Sequence, residues 1–295
     1  MILVTGGTGT LGTLLVQNLS SRGRSVRVLT RDAARAAHLE GAGVEVRIGD
    51  LRDPTSVDGA VAGAETVVSA AHGFVGPGGV SPASVDLNGN VHLIDAASRL
   101  GADVVLVSVV GAAPDHPMEL FRMKYAAEQH LRASSLRWSI VRSHAFLETW
   151  IGVLQQTAAR SGRPVVFGRG RNPVNFVSAA DVAQLVGQVA TDPATRGRTI
   201  EVGGPANLTL DELAGAVQTA AGRTSTPRHV PRLALRIMAV ALGRALPQRA
   251  GMARAALAMD SLDFTFDPSD PAIAALASPT TTATDLLARE KRHLR

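Results

Sequence analysis

The residues with the clearest chemistry stand near the N-terminus. Thr5-Gly6-Gly7-Thr8-Gly9-Thr10-Leu11-Gly12 follows the apolar run Ile2-Leu3-Val4 and precedes Leu14, Leu15 and Leu19 at helical spacing. Glycines in such a turn serve the backbone. One makes the tight turn, one lets the main chain approach a pyrophosphate, and one allows close packing of helix on strand. The helix that follows offers free N–H groups and a partial positive charge to phosphate oxygens. A strand, a G-x-G-x-x-G turn and a helix in succession predict a dinucleotide site over Gly6, Gly7, Thr8, Gly9, Thr10, Leu11 and Gly12.

A second chemical signal lies at Leu29-Thr30-Arg31-Asp32. A protein selective for NAD usually carries an acid here, bonded to the ribose hydroxyls. Arg31 instead suits a planar, charge-assisted pair with a 2′-phosphate, and Arg35 follows one helical turn later. NADP(H) is therefore the preferred cofactor, with Asp32 keeping NAD(H) possible.

These groups need a frame, and the sequence supplies an alternating one. Apolar strands read at Ile2–Val4, Val26–Leu29, Val44–Ile48, Thr66–Ser69, Val104–Ser108 and Trp138–Arg142. Helical stretches read at Ala33 to about Glu40, Ser56–Ala62, Leu87–Leu100 and Glu119–Ala133. Strand and helix in this rhythm predict an α/β fold, a Rossmann-type doubly wound parallel sheet. The second half is less regular. Helices are expected at Thr149–Arg160 and Ala180–Thr191, and strands at Pro164–Phe167, Asn175–Val177 and Thr199–Val202. A Thr209/Glu212 capping box should open a further helix. Arg232–Leu246 reads as one basic helix ended by Pro247.

Seven segments together resemble the NmrA-like, NAD(P)-binding branch of the atypical short-chain dehydrogenases/reductases, over nearly the whole length. They are residues 5–12, Gly49-Asp50-Leu51, Asp86–Asn90, Val107–Gly111, Phe121–Lys124 with Glu128, Arg142–Glu148 and Phe176–Ala183. The resemblance implies a core over residues 1–150 and a smaller C-terminal α/β substrate lobe over 151–295, with some elements returning to the core. It also extends the cofactor contacts to Asp50, Leu51, Ala70, Ala71, His72, Ser108, Lys124, Ser143, Ala145 and Phe146.

In the best-known members of the superfamily a Tyr-x-x-x-Lys pair moves the substrate proton. Here Lys124 is present, but Leu120 stands four residues earlier, and the only tyrosine, Tyr125, is adjacent. Neighbouring helical residues point about 100° apart, so Tyr125 cannot take over. Lys124, Ser108 and His144 are the expected catalytic residues. The implied function is an NADPH-dependent reductase of an apolar carbonyl, enone or quinone-like molecule. The alternative is a non-catalytic, redox-sensing NAD(P)-binding regulator of the NmrA type.

The totals narrow the remaining classes. The chain has 295 residues, no cysteine and a net charge of +5. Seven arginines and no acid lie between Leu213 and Met259, which accounts for the whole excess; no nucleic-acid partner is expected. Eight scattered histidines lack metal-ligand spacing, so no metal is expected. Without a signal-peptide pattern or an apolar run of spanning length, the expected setting is cytoplasmic. The expected partner is a small apolar substrate, with no membrane contact, and the expected state is a monomer or weak homodimer.

Overall fold

A computed structural model describes residues 1–41, 43–74, 78–243, 246–267 and 279–293, which fall into two compact units. The first comprises Met1–Ser143 and Ala179–Val202, the second His144–Ser178 and Gly203–Arg295.

The first unit runs β1 (Ile2–Thr5), α1 (Thr10–Ser21), β2 (Val26–Thr30), α2 (Ala33–Ala36), β3 (Val44–Ile48), α3 (Pro54–Val61) and β4 (Thr66–Ser69). It continues with α4 (Asn90–Leu100), β5 (Asp103–Val109), α5 (Glu119–Ala133) and β6 (Trp138–Ser143). The second unit opens with β7 (Ala145–Phe146), α6 (Leu147–Ser161), β8 (Val165–Phe167) and β9 (Val174–Val177). The chain then re-enters the first unit for α7 (Ala179–Thr191) and β10 (Arg198–Val202). The rest of the second unit is β11 (Asn207–Leu208), α8 (Leu210–Ala220), β12 (Arg228–Val230), α9 (Arg232–Ala241), α10 (Pro247–Met259) and α11 (Ala283–His293).

Seven parallel strands form the sheet of the first unit in the order β10-β6-β5-β4-β1-β2-β3. Crossover helices cover both faces of such a sheet, so its inner strands need apolar residues throughout. Every residue of β1, β2 and β4 is accordingly buried. On one face Leu3, Val67, Val104, Leu106 and Ile140 pack in a cluster with Val57, Leu93, Ile94 and Leu131 from α3, α4 and α5. Arg27 is the charged exception in β2. Its guanidinium donates to the Ala60 and Ala62 carbonyls at 2.8 and 2.7 Å and pairs with Glu45 at 3.0 Å, which offsets the cost of burying it.

Three segments depart from expectation. The helix expected at Leu87 begins at Pro82, because Ser81 and Ser84 form a reciprocal cap ahead of it. Its first part, Pro82–Gly89, is π-helical and continues directly into α4; such wide turns often mark functional positions. The helix expected from Ala33 to Glu40 is α-helical only to Ala36 and then tightens into a 3-10 turn, Ala37–Leu39. The single helix expected over Arg232–Leu246 is instead α9, which stops at Ala241. Pro247 opens α10 rather than ending a helix. Proline suits a first turn because its missing N–H would have no helical partner there. Residues 244–245 of that expectation lie outside the described residues.

In the second unit β11, β9 and β7 form one small sheet and β12 and β8 another. Leu147, Ile151, Leu154, Phe176, Leu213 and Val217 form its core. Thr209 and Glu212 cap α8 reciprocally, as their spacing predicts. Buried Asn175 accepts from Gly204 N at 2.6 Å and donates to the Gly204 and Ala206 carbonyls, tying β9 to the start of the final segment. Among the described residues no helix is long and apolar enough to cross a membrane.

Candidate dinucleotide site

Strand order reverses between β1 and β4. In open α/β sheets the crevice for ligands opens at the carboxyl ends of the strands flanking such a reversal. A groove of about 320 Å³ lies there in the first unit.

Its floor is the glycine turn. Gly6 adopts φ 75°, and a Cβ on it would lie 2.6 Å from Ala71 N and 2.7 Å from the Ala70 carbonyl oxygen. A Cβ on Gly12 would overlap the Gly6 carbonyl oxygen. These two glycines hold β1, α1 and the end of β4 together. Gly9 occupies the N-cap of α1 and has no side chain to satisfy the N–H groups of the first turn. Those donors suit phosphate oxygens. Thr8 and Gly9 line the groove beside them, while Gly7, Thr10, Leu11 and Gly12 build the turn without lining it.

One wall is basic. Arg31 and Arg35 both line the groove, and Arg35 donates to the Thr8 carbonyl at 3.4 Å. Asp32 is turned away, its carboxylate accepting from Ala34 N at 2.9 Å as the cap of α2. The second acid, Asp50, is engaged by Arg52, whose Nε and Nη2 donate to it at 3.1 and 2.6 Å. That guanidinium holds the Asp50 carboxyl below its ordinary pKa. Arg31 has no ion-pair partner among the described residues and remains available for an anion.

The opposite wall comes from Ala70, Ala71 and His72 after β4, with Val80 and Val85 above Leu51. Val80 and Val85 carry no sequence signal, because the chain after β4 must fold back to bring them there. Leu29, Thr30 and Gly49 also line the groove. Their positions at or just after strand ends beside the reversal were the available clue. His72 is exposed across the groove, yet the surrounding walls desolvate it and push its pKa down; Asp86 partly raises it and Lys124 lowers it further.

Lys124 does not line the groove. It is 4% exposed, and its ammonium donates to Ala71 O at 3.2 Å and Val107 O at 3.0 Å. It also forms an ion pair with Asp86 Oδ1 at 3.1 Å, without hydrogen-bond geometry. Asp86, fully buried, accepts from Gly73 N at 2.7 Å through its other oxygen. The π-helical segment carries Asp86 to this position, and Asn90 one turn on accepts from Ser69 at 2.6 Å. The sequence had offered Asp86 only as part of a family segment, without a role. Ser108 is likewise withdrawn from the groove. Its hydroxyl donates to Glu128 at 2.6 Å, and Glu128 holds Arg142 through two bonds at 3.0 and 2.7 Å. Ser143 ends β6, its carbonyl accepting from Val110 N at 3.1 Å.

Two expected cofactor contacts, Ala145 and Phe146, and one expected catalytic residue, His144, belong to the second unit. Ala145 and Phe146 form β7, paired with Phe176 and Val177 of β9. His144 is 7% exposed and packs edge-on against Phe266 at 5.1 Å, with no hydrogen-bond partner for Nε2 among the described residues. Burial lowers its pKa from 6.5 to about 4, Asp263 opposing weakly. Unfolded chain therefore takes up a proton below pH 6.5 that the folded chain refuses. Stability contributed by neutral His144 is full above that pH and is lost as pH falls toward 4, by about 3 kcal/mol in total. Thermal midpoints measured across this range should fall less steeply in His144→Phe than in the parent; parallel curves would contradict the assignment.

A family model described as the NmrA-like family matches residues 1–267. An NAD(P)H azoreductase of Xenophilus azovorans is 32% identical over 225 residues, covering 76% of this chain and 74% of that one. The fold is also similar to two solved structures. A Citrobacter sp. triphenylmethane reductase complexed with NADP(H) gives a TM-score of 0.79 at 22% identity, covering 98% of this chain and 99% of that one. An NADPH-dependent quinone oxidoreductase of Escherichia coli complexed with NADPH gives 0.78 at 21%, covering 99% and 100%.

Proposed function

This chain belongs to the NmrA-like family, and from that premise we propose that it is an NADPH-dependent reductase of small apolar molecules of carbonyl, enone or quinone-like type. One observation carries the cofactor assignment. The uncapped N-terminus of α1 and Arg31, which has no ion-pair partner among the described residues, face one groove, while both nearby acids, Asp32 and Asp50, are bonded elsewhere.

The residues fit the group. Gly6, Thr8 and Gly9 would admit the pyrophosphate, Arg31 and Arg35 the 2′-phosphate, and Leu51 with Val85 the adenine side. Bound NADPH supplies a hydride. Lys124, bonded to two carbonyls and ion-paired with buried Asp86, acts as a fixed cation that positions the 70–73 segment rather than as a proton donor. Ser108 serves through Glu128 and Arg142 to brace β5 against β6. The substrate proton then comes from water or from His72 at the groove. The setting is cytoplasmic and the state a monomer or weak homodimer.

A sensor that binds dinucleotide without turning it over is the second reading, favoured by Leu120 in place of a tyrosine and by the burial of Lys124 beside Asp86. Calorimetry combined with a panel of quinones, azo dyes and enones separates the two. Loss of nicotinamide absorbance with any panel member supports the reductase. Tight NADPH binding with no oxidation across the panel selects the sensor.

Cofactor choice is tested independently by Arg31→Ala. A charge-assisted bond is worth about 1.5–3 kcal/mol, so NADPH should bind at least about tenfold more weakly while NADH is unchanged. Equal losses for both dinucleotides would remove Arg31 from the 2′-phosphate.

A further inference from the structure

We propose that helix α9 of the second unit is a docking face for an anionic lipid surface. Leu233, Ile237 and Val240 recur at the i, i+4, i+7 spacing of a single helical face. They remain 67%, 58% and 83% exposed. Leu235, on another side of the helix, is buried and seats α9 in its unit, and α10 packs along it. The exposed stripe is therefore surplus to the core. A surface helix normally turns charged residues to solvent, and contiguous large apolar side chains there mark an interaction site. Leu246 at the start of α10 and Met252 within it are exposed as well.

Charge identifies what covers the stripe. Residues 213–259 contain seven arginines and no acid. Arg232 is taken up by Asp260 and Ser261, and Arg254 donates to the Ala239 carbonyl. Arg236 on α9 and Arg249 on α10 are exposed and have no ion-pair partner among the described residues. Around the helix axis Arg236 lies roughly 60° from Leu233, at the edge of the stripe. From there its methylenes can extend along apolar surface while the guanidinium reaches phosphate. A second copy of this chain is a poor occupant. A two-fold contact would bring these arginine-rich helices, neither of which contains an acid, against themselves. A bilayer with anionic headgroups complements both the apolar stripe and its basic border. One ten-residue helix is short, so the association is peripheral and reversible.

The full chain is tested by sedimentation with vesicles of phosphatidylcholine alone or mixed with phosphatidylglycerol. Binding to the mixed vesicles should exceed binding to the neutral ones by at least about tenfold and should weaken with salt. Ile237→Asp with Val240→Asp should reduce it at least about tenfold, and Arg236→Glu several-fold. All variants should keep the parent's thermal midpoint and NADPH affinity. Failure of the parent to sediment with mixed vesicles overturns the proposal, as does equal sedimentation of parent and variants. A parent dimer in light scattering that the double substitution dissociates also overturns it, because a second copy would then be the occupant.

Discussion

Gly12→Ala is expected to lose NADPH binding by at least about a hundredfold, or about 3 kcal/mol. The added methyl would overlap the Gly6 carbonyl oxygen and stand 2.7 Å from both Gly6 C and Gly7 Cα. All three atoms are backbone, so no rotamer change relieves the clash. The start of α1 must move off the turn, and such overpacking costs about 1–3 kcal/mol of stability besides. Gly9→Ala separates ligand approach from folding. Gly9 has φ −86° and ψ 172°, open to alanine, and its Cβ would meet only the Gly6 carbonyl oxygen, at 3.4 Å. That variant should keep the parent's thermal midpoint yet bind NADPH at least about tenfold more weakly, because the methyl enters the groove. Parent-like affinity for NADPH in Gly12→Ala, measured by calorimetry, would end the description of this turn as a pyrophosphate cradle.

The second large effect concerns Asp86 and Lys124. Asp86→Asn should cost about 3–5 kcal/mol of stability, the usual penalty for removing one partner of a buried pair. Lys124→Met should cost a similar amount, since it leaves a carboxylate with no exposure and only Gly73 N as a donor. The double variant removes both charges. Its loss should fall short of the sum of the singles by about 2 kcal/mol or more, within the range that contacting pairs show. Turnover should stay low in the double variant, because the Ala71 and Val107 carbonyls also lose their donor. Additive losses in a denaturation cycle would mean that the pair contributes nothing, and would free Lys124 for a proton-donating role.

Much of this arrangement is readable from local pattern. The glycine turn between an apolar strand and a helical run identifies the pyrophosphate end, because backbone conformation and close approach require glycine whatever surrounds it. Arg31 after a strand end is legible for the same reason: its place depends only on where β2 stops. The parallel sheet follows from alternating apolar strands and helical stretches, and the Thr209/Glu212 cap from spacing of three residues. All of these are short-range relations that the order of residues along the chain already contains.

Long-range placement was not readable. Asp32 capping α2 and Asp50 holding Arg52 are contacts two residues apart that local pattern can suggest, but nothing local indicates that Arg31 would line the groove without an ion-pair partner among the described residues. Lys124 and Ser108 look available in the sequence. Only the packed structure reveals that their polar atoms are already engaged by Asp86 and Glu128, and that neither lines the groove. Arg232–Leu246 reads as one helix because helical periodicity does not register the stop at Ala241, and Pro247 reads as an end although it opens α10. The exposed stripe was equally hidden, since an apolar residue in a helical pattern is the same letter whether it faces the core or water. Sequence by itself determined the chemistry of the turn and the class of sheet, because these depend on neighbours along the chain. Tertiary structure decided which charges were spent and which were left over, because a charge buried in a packed interior must be bonded to whatever the fold brings beside it.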